Sequence, residues 1–251
     1  MRIVCTREEA SNRALIDDFA REGLHAVSLP LITTKPLHLS AQEESKLLAA
    51  LNDESCALCF TSQNGVRYAA GIIGPLVTSP RCTIAVQGHA TAVAGESLIG
   101  CAPSLVAHGS TGVDLGKTIL SCRPRITRAL LIGPADPRPE LASVLAEGGL
   151  SLERIAVYRT DSVVVSPDAK RAFAEMGECI VLFFSPSSVR SFVDADLDSM
   201  NQSALYACFG PTTATELRSV GLSVALEHRK GSQAEFTREV AELERSRQRH
   251  D

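Results

Sequence analysis

Six short segments of this chain set Ser, Thr, Gly and Pro directly ahead of helix-like sequence: Thr61-Ser62, Gly88-His89-Ala90-Thr91, Gly109-Ser110-Thr111-Gly112, Ser185-Pro186-Ser187-Ser188, Gly210-Pro211-Thr212-Thr213 and Gly231-Ser232. At a helix start the first backbone N–H groups lack intrahelical partners and the dipole end is positive, so each is a small anion receptor. A short hydroxyl beside it can donate as well. Taken singly, each segment also reads as an ordinary N-cap, and Pro186 and Pro211 as ordinary first-turn prolines. Several such starts at one end of their sheets suit a ligand with many carboxylates or phosphates, without any strongly basic patch. Arg7 follows directly on the first predicted strand, where it either reaches a ligand or forms a structural ion pair. Tyr158 lies near a predicted crossing between domains, as a proton donor or as packing.

Other motifs carry less chemistry. Cys56-x-x-Cys59 has metal or redox spacing, but both residues fall in a predicted strand, where an odd separation sends them to opposite faces, and no second such pair exists. Gly112-Val113-Asp114-Leu115-Gly116-Lys117-Thr118 lacks the first glycine of a P-loop, Thr111 standing there, and its second half sits in a helical pattern. Asp194-x-Asp196-x-Asp198 opens like a calcium loop, yet Ser199 and Leu205 occupy the positions of the turn glycine and the bidentate glutamate, so a solvated acidic loop is expected. The histidines His25, His38, His89, His108, His228 and His250 form no HExxH pair, and Ser62 and Ser185 lack the glycines of a nucleophile elbow.

The elements that position these residues repeat. Phe60-Thr61-Ser62-Gln63-Asn64-Gly65-Val66-Arg67 returns as Phe184-Ser185-Pro186-Ser187-Ser188-Val189-Arg190, and Gly88-His89-Ala90-Thr91-Ala92 returns as Gly210-Pro211-Thr212-Thr213-Ala214. Each copy begins where an apolar run ends and a helical period starts, the strand-to-helix turn of an α/β unit. Strands are expected at residues 2–6, 26–32, 56–60, 83–86, 104–107, 129–132, 154–165, 179–184, 205–209 and 223–226, with helices between them, hence parallel sheets covered on both faces. The C-terminal part supplies only three clear strands, and the two N-terminal ones complete it to five. The expected architecture is therefore α/β with a discontinuous first domain, residues 1–34 and 164–251, a second domain at 38–159, and paired connecting segments at 35–37 and 160–163. Because ligands of open α/β sheets bind at the carboxyl ends of the strands, two half-molecules facing one another would frame a cleft.

Composition narrows the function. With 25 Lys and Arg against 29 Asp and Glu, the net charge of −4 argues against a nucleic-acid or anionic-membrane surface, and the absence of Trp with 4% aromatics argues against base stacking. No apolar run reaches membrane-spanning length, and Met1-Arg2-Ile3-Val4-Cys5 moves straight into a strand, so a cytoplasmic protein is expected. The eight Cys, mostly inside apolar runs, read as small buried hydrophobes without disulfides.

The ordered set Ile3-Val4-Cys5-Thr6-Arg7, Leu29-Pro30-Leu31-Ile32, Phe60-Thr61-Ser62, Gly88-His89-Ala90-Thr91-Ala92, Val157-Tyr158-Arg159-Thr160, Phe184-Ser185-Pro186-Ser187 and Gly210-Pro211-Thr212-Thr213-Ala214 resembles the uroporphyrinogen-III synthase family over nearly the whole chain. The resemblance implies two flavodoxin-like domains joined by a two-stranded connector, and a monomeric enzyme without cofactor or metal. Its implied substrate is the linear tetrapyrrole hydroxymethylbilane, which bears several carboxylates and is closed with loss of water and inversion of ring D. It also implies a catalytic role for Tyr158 in hydroxyl departure, and substrate contacts at Ser62, Thr91, Ser185, Ser187, Thr212 and Thr213, while Arg7 stays a candidate contact from its place after the first strand. A phenol of ordinary pKa, about 10, is protonated at neutral pH and can donate untuned. The chain departs from the family pattern at Gln87, at His89 and in residues 133–139, and Arg138 is not carried over as a contact. Two other classes fit the same architecture: a hinge-bending binding protein for a small polyanion, and a nucleotide-sugar transferase, for which neither an acidic ribose partner nor a basic diphosphate motif is present.

Overall fold

The computed structural model describes residues 1–76, 79–109, 111–123, 125–229 and 231–248. The chain divides into two compact units, one made of Met1–Thr34 with Thr160–Asp251 and the other of Lys35–Arg159. Strands and helices are numbered in chain order.

In the first unit, β1 (Arg2–Cys5), β2 (Ala26–Ser28), β9 (Cys179–Phe183), β10 (Ala204–Phe209) and β11 (Val224–His228) form a parallel sheet in the order β11-β10-β9-β1-β2. Counted along the unit this is 2-1-3-4-5, the flavodoxin-like order, whose switch point lies between β1 and β9. Successive residues of β1 alternate between faces: Ile3 and Cys5 pack with Leu15, Phe19, Phe236 and Val240, and Val4 with Phe173, Val189 and Leu217. The first set comes from α1 (Glu9–Arg21) and α11 (Gln233–Gln248); the second from α7 (Pro167–Ala174), α8 (Pro186–Asp194) and α10 (Pro211–Ser219). The acidic stretch at residues 194–198 ends α8 and, through Asp196 at φ 59°, enters the short α9 (Leu197–Met200).

The second unit holds β3 (Ile32–Pro36), β4 (Cys56–Phe60), β5 (Thr83–Gln87), β6 (Leu105–Ala107), β7 (Arg128–Pro134) and β8 (Ser151–Ser162) in the order β3-β8-β7-β4-β5-β6. The five strands inside the β3 edge pair in parallel. Their arrangement, β8-β7-β4-β5-β6, matches that of the first unit with β7 and β8 in the places of β1 and β2. The repeat thus extends into topology: β4 and α3 (Gln63–Leu76) correspond to β9 and α8, and β5 and α4 (His89–Ile99) to β10 and α10. Only the starting point along the chain differs. Helix α2 (Ala41–Leu51) packs with α3 on one face of this sheet, α5 (Gly112–Leu120) and α6 (Glu140–Glu147) on the other. Cys56 lies in the core of the first face and Cys59 in that of the second, so the pair cannot act together. Residues 112–118 are helical, in α5.

Two expected strands are redrawn. The run at 26–32 is two strands in different sheets, broken at Pro30, which has no N–H to donate. Leu29 and Leu31 still donate to Cys5 and Thr6 beside β1, and from Ile32 to Pro36 the chain, expected to leave as a connection, is β3. The long run is β8 at Ser151–Ser162, set three residues earlier because it pairs with β7 from Ser151 onward, and Val164 beyond it is 94% exposed. Both β3 and β8 cross from one unit to the other. No helix among the described residues is long and apolar enough to cross a membrane.

The eight thiols are unbridged, and six of them are buried. Burial pushes Cys179 and Cys208 up to about 11 and Cys5 and Cys82 up to about 12. The folded state keeps these protons where the unfolded chain has lost them, so their contribution to stability is intact below the unfolded thiol value, about 8.5, and disappears as pH rises toward 11 to 12. Thermal midpoints are expected to hold up to about pH 8 and to fall steeply by about pH 10.5; an equal midpoint at both would contradict the buried thiols.

Candidate active site

Tyr158 belongs to β8, beside Pro134 of β7, and its carbonyl accepts from the Ala135 N–H at 2.8 Å. Its ring is 6% exposed in the core with Phe60 and Val66. Tyr68, on α3, stacks on it with centroids 5.2 Å apart and an interplanar angle of 21°. The Arg67 guanidinium lies 5.0 Å from the Tyr68 ring centre and donates to its hydroxyl at 3.4 Å. The Tyr158 hydroxyl is 3.2 Å from Ser62 Oγ, which accepts from the Gly65 N–H at 3.1 Å and so caps the first turn of α3. Burial holds the phenol above its ordinary pKa, with the Ser62 hydrogen bond working the other way. The site is therefore a protonated phenol joined to a half-buried hydroxyl at the carboxyl end of β4.

Two kinds of helix start stand out among the described residues. Three are closed by a carboxylate of the chain itself: Ser40 with Glu43 at α2, Thr111 with Asp114 at α5, and Ser232 with Glu235 at α11, each pair bonded both ways. The starts at Thr111 and Ser232, expected as ligand receptors, are thus already filled; Ser110 lies outside the described residues. The starts of α4 and α10 have glycine caps and no side-chain hydrogen bond, Gly88 at φ 76°, ψ 162° and Gly210 at φ 93°, ψ 151°. These two correspond in the repeat. Three helices of this chain thus hold a carboxylate at the N-terminus, where the dipole favours one.

The remaining expected contacts are placed as follows. Ser185 caps α8 by accepting from Ser188 N at 3.3 Å, and its hydroxyl donates to Ser188 Oγ at 3.3 Å. Ser187 is half-buried in the same turn. Thr91 is buried in the first turn of α4. Thr213 is buried and donates to the Phe209 carbonyl at 3.2 Å, so its hydroxyl is turned back to the chain; Thr212 is exposed. Arg7 donates to Gln233 at 2.8 Å with its guanidinium 4.8 Å from the Phe184 ring centre, and burial lowers its pKa while Cys5 and Glu8 oppose that. Ser62 and Tyr158 are brought together in the second unit. Ser185, Ser187, Thr212, Thr213 and Arg7 lie in the first, at the carboxyl ends of β9, β10 and β1.

Gly210 occupies a backbone region that is essentially glycine's alone, while a Cβ there would meet nothing within 4 Å. Gly210→Ala isolates strain from crowding and is expected to cost about 1–3 kcal/mol in denaturant unfolding. No loss would contradict the cap conformation.

Two residues escape the motif reading. Tyr68, one of three tyrosines, signals itself only by aromatic scarcity. Asn12 replaces an apolar residue on the buried stripe Asn12, Leu15, Phe19 of α1, which is the signal of a buried polar anchor. It fixes the turn bearing Arg7.

Residues 13–235 match the family model described as uroporphyrinogen-III synthase HemD. A curated relative, the chloroplastic uroporphyrinogen-III synthase of Oryza sativa subsp. japonica, is 27% identical over 232 residues, 88% of this chain and 73% of that protein. Among solved structures, a mutant uroporphyrinogen III synthase of Thermus thermophilus superposes with a TM-score of 0.64 at 17% identity, covering 98% of this chain and 99% of that one. The uroporphyrinogen-III synthetase of Helicobacter pylori 26695 gives 0.62 at 18%, covering 96% and 98%. At these identities the two structures show likeness of fold.

Proposed function

Because this chain belongs to the uroporphyrinogen-III synthase family, we propose that it closes hydroxymethylbilane to uroporphyrinogen III, with loss of water and inversion of ring D. The observation that carries the reading is the match over residues 13–235, which takes in both α/β units. Departure of the substrate hydroxyl leaves a conjugated cation; the substituted carbon of ring D attacks it to give a spiro intermediate, and fragmentation and a second closure set the ring inverted. Such a sequence asks for an acid, a grip on peripheral carboxylates and an enforced geometry rather than a covalent catalyst or cofactor. Tyr158 is the proposed source of the acid proton, kept protonated by burial. The starts at Gly88 and Gly210 are the proposed carboxylate receptors, each in its own unit, supported by the absence of a side-chain cap there. Thr91, Thr212 and Thr213 belong to these turns, Ser62 begins α3, Ser185 and Ser187 begin α8, and Arg7 adds a cation. A monomer in a reducing compartment such as the cytoplasm suits eight unbridged thiols.

Purified protein supplied with fresh hydroxymethylbilane, followed by oxidation and chromatographic separation of isomers, is expected to give the type III product. Folded protein yielding only the spontaneous type I isomer would refute the reading.

A further inference from the structure

Resting on the synthase reading, we propose that Ser62 is the hydroxyl that touches the departing group and protonates it, and that Tyr158 acts through Ser62 rather than on the substrate. Tyr158 is 6% exposed, and Tyr68 stacks on its ring, whereas Ser62 is half-buried at the carboxyl end of β4. The phenol has one hydrogen-bond partner among the described residues, Ser62 Oγ at 3.2 Å. A buried O–H must find an acceptor, so the phenol donates and the serine oxygen accepts. That oxygen already accepts from the Gly65 N–H at 3.1 Å. With both acceptor directions filled, the Ser62 proton is left to point away from the turn. The corresponding serine of the repeat behaves differently: Ser185 spends its proton on Ser188 Oγ, and Ser188 spends its own on the Ser185 carbonyl at 2.8 Å. Only the copy beside a phenol keeps a proton to give.

The step balances. The C–O bond of the substrate breaks with its electron pair on oxygen, which takes the Ser62 proton and leaves as water. Ser62 Oγ takes the Tyr158 proton in the same motion, so the serine is unchanged and a phenolate remains opposite the new conjugated cation. Arg67, its guanidinium at the Tyr68 ring that stacks on Tyr158, offsets the phenolate charge. When the last ring closure sheds a proton to restore the aromatic pyrrole, that proton returns through Ser62 to the phenolate.

The test is a kinetic cycle on Ser62→Ala, Tyr158→Phe and the double variant, with Ser62→Thr as the conservative control, reading kcat and KM for type III formation. A relay predicts that the double variant is no slower than Ser62→Ala, that Tyr158→Phe lowers kcat while leaving KM within about twofold, and that Ser62→Thr restores activity, since hydroxyls in series do not act independently. Rates in mixtures of light and heavy water are expected to curve for the unmodified protein, with two protons in flight, and to be linear for Tyr158→Phe. Loss of the α3 cap alone alters the melting midpoint and not this curvature. Losses that multiply in the double variant, or a linear response in the unmodified protein, would overturn the relay while leaving the synthase reading in place. Failure of the unmodified protein to make type III product would overturn the reading itself.

Discussion

Asn12→Ala is expected to destabilise the first unit by about 3–5 kcal/mol, because each buried backbone group left without a partner costs about 1–3 kcal/mol and a small cavity opens as well. The side chain is fully buried; its amide donates to the carbonyls of Cys5 at 2.9 Å and Arg7 at 2.8 Å and to Ser28 Oγ at 2.9 Å, while its oxygen accepts from Arg7 N at 2.9 Å. The Cys5 carbonyl keeps the Leu29 N–H, so the loss falls on Arg7, whose N–H and carbonyl are both orphaned. For a chain of this size the melting midpoint is expected to fall by about 10 °C. Asn12→Asp is expected to be worse, since it turns an acceptor toward two carbonyls. A loss below about 1 kcal/mol in either variant would show that these bonds do not hold the turn that presents Arg7.

Ala90→Glu is expected to raise KM about 100-fold while leaving stability unchanged or slightly improved. Ala90 is exposed in the first turn of α4, where the Gly88 cap offers no side chain of its own. A carboxylate there gains from the helix dipole, typically 0.3–1 kcal/mol, as Glu43, Asp114 and Glu235 do at their starts. With a substrate carboxylate bound at this start as proposed, the added like charge lies within about 4 Å of it, a repulsion of about 4 kcal/mol at an effective dielectric near 20, and about 3 kcal/mol after screening. Ala90→Gln, with the same shape and no charge, is expected to keep KM within about threefold. Equal KM values in the Glu and Gln variants would remove the α4 start from the substrate site. Unfolding and initial-rate measurements on the same preparations separate the two effects.

Much of this architecture was legible because α/β units announce themselves locally. Apolar runs ending in Ser, Gly or Pro mark each strand-to-helix turn, and the two copies of that phrase correspond as β4–α3 with β9–α8 and β5–α4 with β10–α10. The shifted starting point of the second unit was not legible, since the pairing of β7 with β4 is fixed by packing between residues about 70 apart in sequence, such as Leu58 and Leu130. The break at Pro30 was not legible, because Leu29 and Leu31 both look like strand residues. At the site, Tyr158 and Ser62 each carry a signal in the sequence, but their 3.2 Å contact depends on β8 lying beside β7 and could not be read. Three self-closed helix starts are legible in the sequence: Ser40-x-x-Glu43, Thr111-x-x-Asp114 and Ser232-x-x-Glu235 all show the spacing of a reciprocal cap. That spacing separates a start closed by its own carboxylate from one capped by glycine, as at Gly88 and Gly210.

The most direct test of that distinction is a backbone amide titration of the full chain by nuclear magnetic resonance, using uroporphyrin III, the stable oxidised form of the proposed product, as the probe. The amides of Gly88, His89, Ala90 and Thr91 and those of Thr212 and Thr213 are expected to shift on binding. Those of Thr111, Asp114, Ser232 and Glu235 are expected to stay in place. Shifts confined to the carboxylate-closed starts, or an absence of shifts in the first turns of α4 and α10 with the probe bound, would contradict the account.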